Sequence, residues 1–225
     1  MSATPISTAS APLTRRAYHG SCHCGRVRYM LVISLPPSAS IPHDPSSGIP
    51  PPPPPTSVRF YKCNCSTCHK MGYLHVRVPD SARAFYLLSP TDPAAGLRDY
   101  TCGSGQVHWY FCGECGVRCF AVFGPGAVVD VDLEQVVEGE LEGELEGEGE
   151  RKKKATKITK AWTVKADGWV ENARGYLSIN GLTLEPGQQG LDLRELKNKG
   201  WIEYLDRKEG KHEGRFEYPH EGGTW

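Results

Sequence analysis

Residues 63–68 read Cys-Asn-Cys-Ser-Thr-Cys, three thiols within six positions. Thiols at i, i+2 and i+5 on a tight loop converge on one centre, as metal ligands must. Three protein ligands leave a fourth tetrahedral position for water or substrate, the mark of a catalytic zinc. Working outward, Cys22-His-Cys24 lies on one side and Cys112-Gly-Glu-Cys115 on the other. These four thiols suffice for a closed structural zinc. A glycine follows each pair, Gly25 and Gly116, and supplies the backbone freedom a knuckle turn requires. The spacing predicts two zinc centres: Cys22, Cys24, Cys112 and Cys115 in one, Cys63, Cys65 and Cys68 in the other. For the triplet, spacing leaves two alternatives open. A further ligand (His69, His75, Cys102 or Cys119) completes a second structural site, or the site stays open and zinc polarises a carbonyl or holds a thiolate. Three thiolates donate much charge, so an open site suits polarising a small carbonyl or steering a sulfur better than hydrolysis.

Between the thiol groups the chain reads as strands. Val27, Tyr29, Leu31 and Ile33 alternate after the first knuckle, and Tyr73 to Val78 alternates after the triplet. Val58 to Tyr61 delivers Cys63; Ala84 to Leu88, Gln106 to Phe111, Val117 to Phe123 and Ala127 to Leu133 are further strands. Ala161 to Val164 and Gly168 to Glu171 follow as short ones. One short helix is predicted, Leu193 to Lys199, because Asp192 with Glu195 forms a capping box and Gly200 sits where the helix ends. The fold class is therefore mainly β, with zinc knuckles and one short helix.

Residues 18–206 form one domain on this reading, with a disordered tail at 1–17 and a polar tail at 207–225. Two insertions interrupt the domain. Residues 35–57 include the run Pro50 to Pro55 and form an extended polyproline segment. Residues 138–160 are rich in Glu and Gly and then in Lys, a solvated loop that neutralises itself. The 26 basic and 26 acidic residues cancel, which leaves no global field to attract nucleic acid or an anionic membrane. No signal peptide and no apolar run of ~18 residues is visible, so a membrane span is not expected. Nine cysteines in close groups point to metal ligation in a reducing compartment, the cytoplasm or nucleus, rather than to disulfides.

Single residues carry less information. Cys119 alternates with Val117 and Ala121 and reads as core; Cys102 sits in a Cys-Gly-Ser-Gly turn and reads as exposed. His108 lies in an apolar strand and reads as a core histidine. Asn172 and Arg174 are candidates for binding a substrate carboxylate, because guanidinium makes paired bonds to it.

Four motifs together resemble the glutathione-dependent formaldehyde-activating enzyme family, whose domain also occurs in centromere protein V. They are Gly20-Ser-Cys-His-Cys-Gly25, Cys63-Asn-Cys-Ser-Thr-Cys68, Phe111-Cys-Gly-Glu-Cys-Gly116 and Val170-Glu-Asn-Ala-Arg174. The resemblance implies antiparallel sheets of the Mss4-like kind and two zincs. It assigns the structural metal to Cys22, Cys24, Cys112 and Cys115, and the catalytic one to Cys63, Cys65 and Cys68. It further implies a carbon–sulfur lyase joining glutathione and formaldehyde, with glutathione or a similar thiol as co-substrate. The alternative it implies is a non-catalytic, zinc-stabilised binding module of the centromere protein V type, for which a neutral chain is a poor match. The two insertions and the C-terminal extension depart from the family pattern.

Overall fold

The computed structural model describes residues 14–37, 57–138, 158–208, 211 and 213–225. The polyproline run, the Glu/Gly run and most of the basic stretch lie outside the described residues. So does most of the N-terminal tail.

The chain is mainly β, as its alternation predicts. Twelve strands form two sheets among the described residues. The first has the order β1 (Thr14–Ser21), β2 (Arg28–Leu35), β5 (Phe85–Ser89), β9 (Ile158–Val164) and β8 (Gly126–Asp132). The second runs β12 (Glu213–Arg215), β11 (Ile202–Asp206), β3 (Arg59–Cys63), β4 (His75–Arg77), β10 (Tyr176–Asn180), β7 (Arg118–Phe123) and β6 (His108–Phe111). The inward faces meet in one core. Tyr29, Leu31, Phe85, Leu87 and Trp162 of the first sheet belong to it together with Phe60, Val76, Phe120, Leu177 and Ile179 of the second. Because side chains alternate along a strand, the residues between these point to the opposite faces. On the first sheet that outer face carries Met30, Val32, Tyr86 and Ala161, packed with Leu133 and Val136 of α4 (Leu133–Glu138). On the second it carries the triplet.

Four expectations change. Among the described residues five short α-helices occur rather than one: α1 (Ser66–Met71), α2 (Ser81–Ala84), α3 (Pro93–Gly96), α4 and α5 (Leu193–Asn198). The predicted helix is present as α5, with the Asp192 carboxylate accepting from Arg194 N–H. The others are too short to show a helical period. α2 and α3 are single turns held by Asp80 and Asp92 as N-caps, and Pro93 opens the latter. Second, the sheets are not wholly antiparallel: β11 pairs with β3 in parallel, Ile202 opposite Phe60 and Leu205 opposite Cys63. Third, no strand forms over 168–171, where Glu171 makes only an isolated bridge to Gly175. Fourth, ordered structure extends into both stretches read as tails, through the first half of β1 and through β12.

Candidate metal centres

The tetrathiol group lies where two turns meet. Cys22 and Cys24 fill the turn between β1 and β2; Cys112 and Cys115 fill the turn between β6 and β7. Each turn closes in the same way, with Cys22 N–H donating to Val27 C=O and Cys112 N–H to Val117 C=O, both at 3.0 Å. Gly25 and Gly116 follow with φ of 75° and 74°, a conformation that a side chain at either position would strain. The four sulfurs lie within 4.8 Å of one another. Cys22 to Cys24 and Cys24 to Cys112 are both 3.6 Å apart. A tetrahedron with Zn–S of ~2.3 Å has edges of ~3.8 Å, so the donor set fits that ion.

Protonation within the group is uneven. Burial raises the Cys115 thiol, but the backbone N–H groups of Val117 and Cys24 and the neighbouring thiols outweigh it and bring it down to about 6. Cys24 receives an N–H from Arg26, which lowers it, yet the thiols of Cys22, Cys112 and Cys115 push it up to about 12. Crowded sulfurs share protons when no cation is there, and a cation bound among them displaces those protons.

The triplet occupies the end of β3 and the start of α1. Cys63 ends the strand, Cys65 is the N-cap of the helix, and Cys68 sits one turn in. All three sulfurs lie within 4.8 Å of one another. Cys63 and Cys65 are half-buried and Cys68 is buried. Hydrogen bonds from Cys63 and Cys68 hold the Cys65 thiol far below its ordinary range, while the bond with Cys65 pushes Cys63 up to about 11. Among the described residues no fourth His, Cys, Asp or Glu joins the three within that distance.

Of the four candidate completing ligands, His75 is in direct contact with a triplet sulfur but lies outside the group in which all donor atoms converge. Its Nε2 lies 3.1 Å from Cys68 Sγ and its Nδ1 lies 2.8 Å from Ser178 Oγ. Burial, aided by the Arg77 charge, holds its pKa well below the usual histidine value, so the ring is neutral. A neutral ring has one N–H. If Cys68 is a thiolate, that N–H is on Nε2, and Nδ1 accepts from the Ser178 hydroxyl. His75 is therefore placed to orient Cys68, a candidate ligand. Cys102 is half-buried, its Sγ 3.7 Å from Thr67 Oγ1, and packs in the same cluster as the triplet. It is less exposed than its glycine-flanked turn suggests. Cys119 is a core residue as expected, 1% exposed, and His69 is exposed.

The surroundings of the triplet come from one row of outward side chains across the second sheet. Tyr61 stands opposite His75, Ser178 opposite Ala121, and Ala121 opposite Trp109. Tyr61 stacks on the His75 ring at 4.1 Å, and Tyr73 and Trp109 meet it at an angle. Tyr61 and Tyr176 hydroxyls are 3.1 Å apart. These rings exclude water from one side of the thiols, which strengthens any electrostatic interaction made there.

Sequence reasoning missed Asn64, which lies between two of the thiols. It is buried, and its amide Nδ2 donates to Asp206 Oδ1 at 2.7 Å and to Glu221 C=O at 3.2 Å. Its Oδ1 accepts from Arg207 N–H at 2.7 Å. The C-terminal segment thus braces the triplet loop, a contact no local pattern signals. Asn64→Ala is expected to weaken metal binding at the triplet by about 10–100-fold, as loss of groups that orient ligands does. The tetrathiol site should be unaffected. Chelator competition on the doubly loaded chain, followed one equivalent at a time, checks this.

The other predicted residues lie elsewhere. Asn172 (φ 62°) accepts from Arg77 Nη2 at 2.9 Å. Arg77 also pairs with Glu171, and its guanidinium lies 4.1 Å from the Tyr176 ring centroid. Arg77 thus stands between Asn172 and Tyr176, which packs in the cluster around the triplet. Arg174 is exposed, with no ion pair among the described residues. His108 is not a core histidine. It is half-exposed on the edge strand β6, where Asp99 Oδ2 lies 2.6 Å from its Nδ1, because an edge strand has solvent on one side.

No family model matches the chain. Among solved structures, a crystal structure of a Rhodobacter sphaeroides protein from structural genomics is similar to it, with 15% identity and a TM-score of 0.39. That similarity covers 79% of this chain and 94% of the other. No helix among the described residues is long and apolar enough to cross a membrane.

Proposed function

We propose that the chain is a two-zinc protein of the Mss4-like kind that adds a small thiol, glutathione or a close analogue, to a small aldehyde such as formaldehyde. One observation carries this reading: three convergent sulfurs without a fourth protein ligand among the described residues, beside a tetrathiol group that is complete. Zinc bound by Cys63, Cys65 and Cys68 would supply a Lewis acid with one exchangeable position. The net reaction forms one S–C bond, opens the carbonyl π bond, and moves the thiol proton to the carbonyl oxygen. No oxidant or reductant is required.

The chain's own residues have definable parts in this reading. His75, locked between Cys68 and Ser178, fixes the orientation of a buried sulfur. Tyr61, Tyr73, Trp109 and Tyr176 provide a wall of low polarity, so that charge developing on oxygen or sulfur is poorly screened by water. Cys22, Cys24, Cys112 and Cys115 hold the structural metal and take no part in the chemistry.

The test is Cys65→Ala. The variant should keep its fold and one zinc, lose the other, and lose thiol-dependent consumption of formaldehyde down to the background rate. Metal content, circular dichroism and formaldehyde uptake read the three outcomes. Loss of both metals, or activity that survives with one, would overturn the division between the two centres.

A further inference from the structure

Next to the triplet is a cavity of about 370 Å³ lined by Ser66, Thr67, Lys70, Met71, Tyr100 and Arg118. Four of the six belong to α1, the helix that carries Cys68, and Ser66 and Thr67 are the two residues between Cys65 and Cys68. The remaining wall is built from β7 and the segment before β6. Its polar lining is two cations and three hydroxyls, with no carboxylate.

Among the described residues neither cation has a counter-ion. Arg118 has its guanidinium carbon 4.9 Å from the Phe111 ring centroid and 5.9 Å from that of Tyr100, so aromatic faces set its direction. Its Nε is buried without an acceptor among the described residues. Neither Arg118 nor Lys70 forms an ion pair there, although acids elsewhere on the surface are paired freely with Arg26, Lys160, Arg194 and Lys199. A half-buried arginine held by ring faces, opposite a lysine and hydroxyls in a concave site, matches the chemistry that recognises a carboxylate: a planar fork of donors, a point charge and neutral donors.

From this we infer that the cavity takes the carboxylate of the thiol co-substrate while its sulfur is at the triplet. The inference rests on the function proposed above and narrows it: the favoured thiols are mercapto acids or peptides with a free carboxylate within reach of the sulfur. Neutral thiols bind less well. The rival account of the same cations is that they only offset the negative charge of three thiolates, in which case a carboxylate on the ligand gains nothing.

The full-length chain loaded with two equivalents of cobalt distinguishes these. A thiolate joining a cobalt–sulfur site changes its charge-transfer and ligand-field bands, which gives a binding readout independent of turnover. The probes are 3-mercaptopropionate and its neutral methyl ester. The acid is expected to bind about tenfold more tightly than the ester, the size of effect that one charge-assisted contact confers. Lys70→Gln and Arg118→Gln should each reduce that preference and together abolish it, with ester binding unchanged. Lys70 is on the exposed side of α1, so its variant keeps the fold, and the spectrum before thiol addition reports an intact centre in every variant. Equal binding of acid and ester, or a preference that survives the double variant, overturns the carboxylate site and leaves the open centre standing. If neither thiol alters the spectrum, the open centre itself fails and the inference falls with it.

Discussion

Cys112→Ser is expected to yield a chain that lacks the tetrathiol metal and no longer melts cooperatively near the wild-type temperature. Cys112 is fully buried, and its turn joins β6 to β7 at the edge of the second sheet. Its partners Cys22 and Cys24 sit on the turn between β1 and β2 of the first sheet. The group therefore fastens the two sheets at one end, where the exposed Arg26–Glu114 pair also crosses between the turns. An exposed pair of that kind contributes ~0–1 kcal/mol. A structural zinc contributes ~10–16 kcal/mol in small domains, against a total stability of ~5–15 kcal/mol for a typical domain. Losing even half of the former, ~5–8 kcal/mol, removes as much as the whole stability at the lower end of the latter range. Metal content and a thermal melt, run beside Cys65→Ala, make the comparison. If Cys112→Ser retains two metals or melts within a few degrees of wild type, the group is not the staple described here.

This contrast also explains why the thiol groups were legible in the sequence and much of their setting was not. A knuckle is a local device: two sulfurs, a glycine and a five-residue closure fit within one short window, so Cys22–Val27 and Cys112–Val117 announce themselves. The strands β2, β5, β7 and β8 lie in long-range sheets, yet alternation along each strand reports which faces are covered, whereas β10 (Tyr176–Asn180) is not among the strands read from the sequence. The stretch ending at Val164 was readable for the same reason, although β9 begins at Ile158, inside the basic run taken as loop. What local pattern cannot report is partnership across the chain. His75 was one of four possible ligands until Ser178, 103 positions away, fixed its ring. Asn64 has no motif of its own; its role exists only because Asp206, Arg207 and Glu221 return to it. Single-turn helices such as α2 and α3 depend on one aspartate each and have no period to detect. The parallel pairing of β11 with β3 joins segments ~140 residues apart, and no alternation rule specifies a partner or a direction.

That parallel pairing gives the second large effect. Arg59 on β3 and Glu203 on β11 form an ion pair whose side chains are 7% and 4% exposed. Arg59 Nε donates to Glu203 Oε2 at 2.5 Å, and its guanidinium carbon lies 5.1 Å from the centroid of the Tyr61 ring. Removing one partner of such a pair leaves a charge in a medium that solvates it poorly, at a cost of ~3–5 kcal/mol. Glu203→Ala should therefore lower the melting temperature by about 10 °C in a chain of this length. The effect should reach further than stability. Asn64 N–H donates to Leu205 C=O on the same strand, and Asn64 itself is braced by Asp206 and Arg207 just beyond it. Loosening β11 thus releases the loop that carries Cys63 and Cys65, and the triplet metal should be lost to a chelator sooner than in the wild type. Replacing both partners by apolar residues of similar volume, Arg59→Met with Glu203→Leu, should recover most of the stability, because neither member of the pair is left buried without the other. A single variant within ~1 kcal/mol of wild type would mean that the pair is solvated and that β11 is an appendage. A large loss repaired by the double variant would establish β11 as part of the platform on which the triplet loop stands.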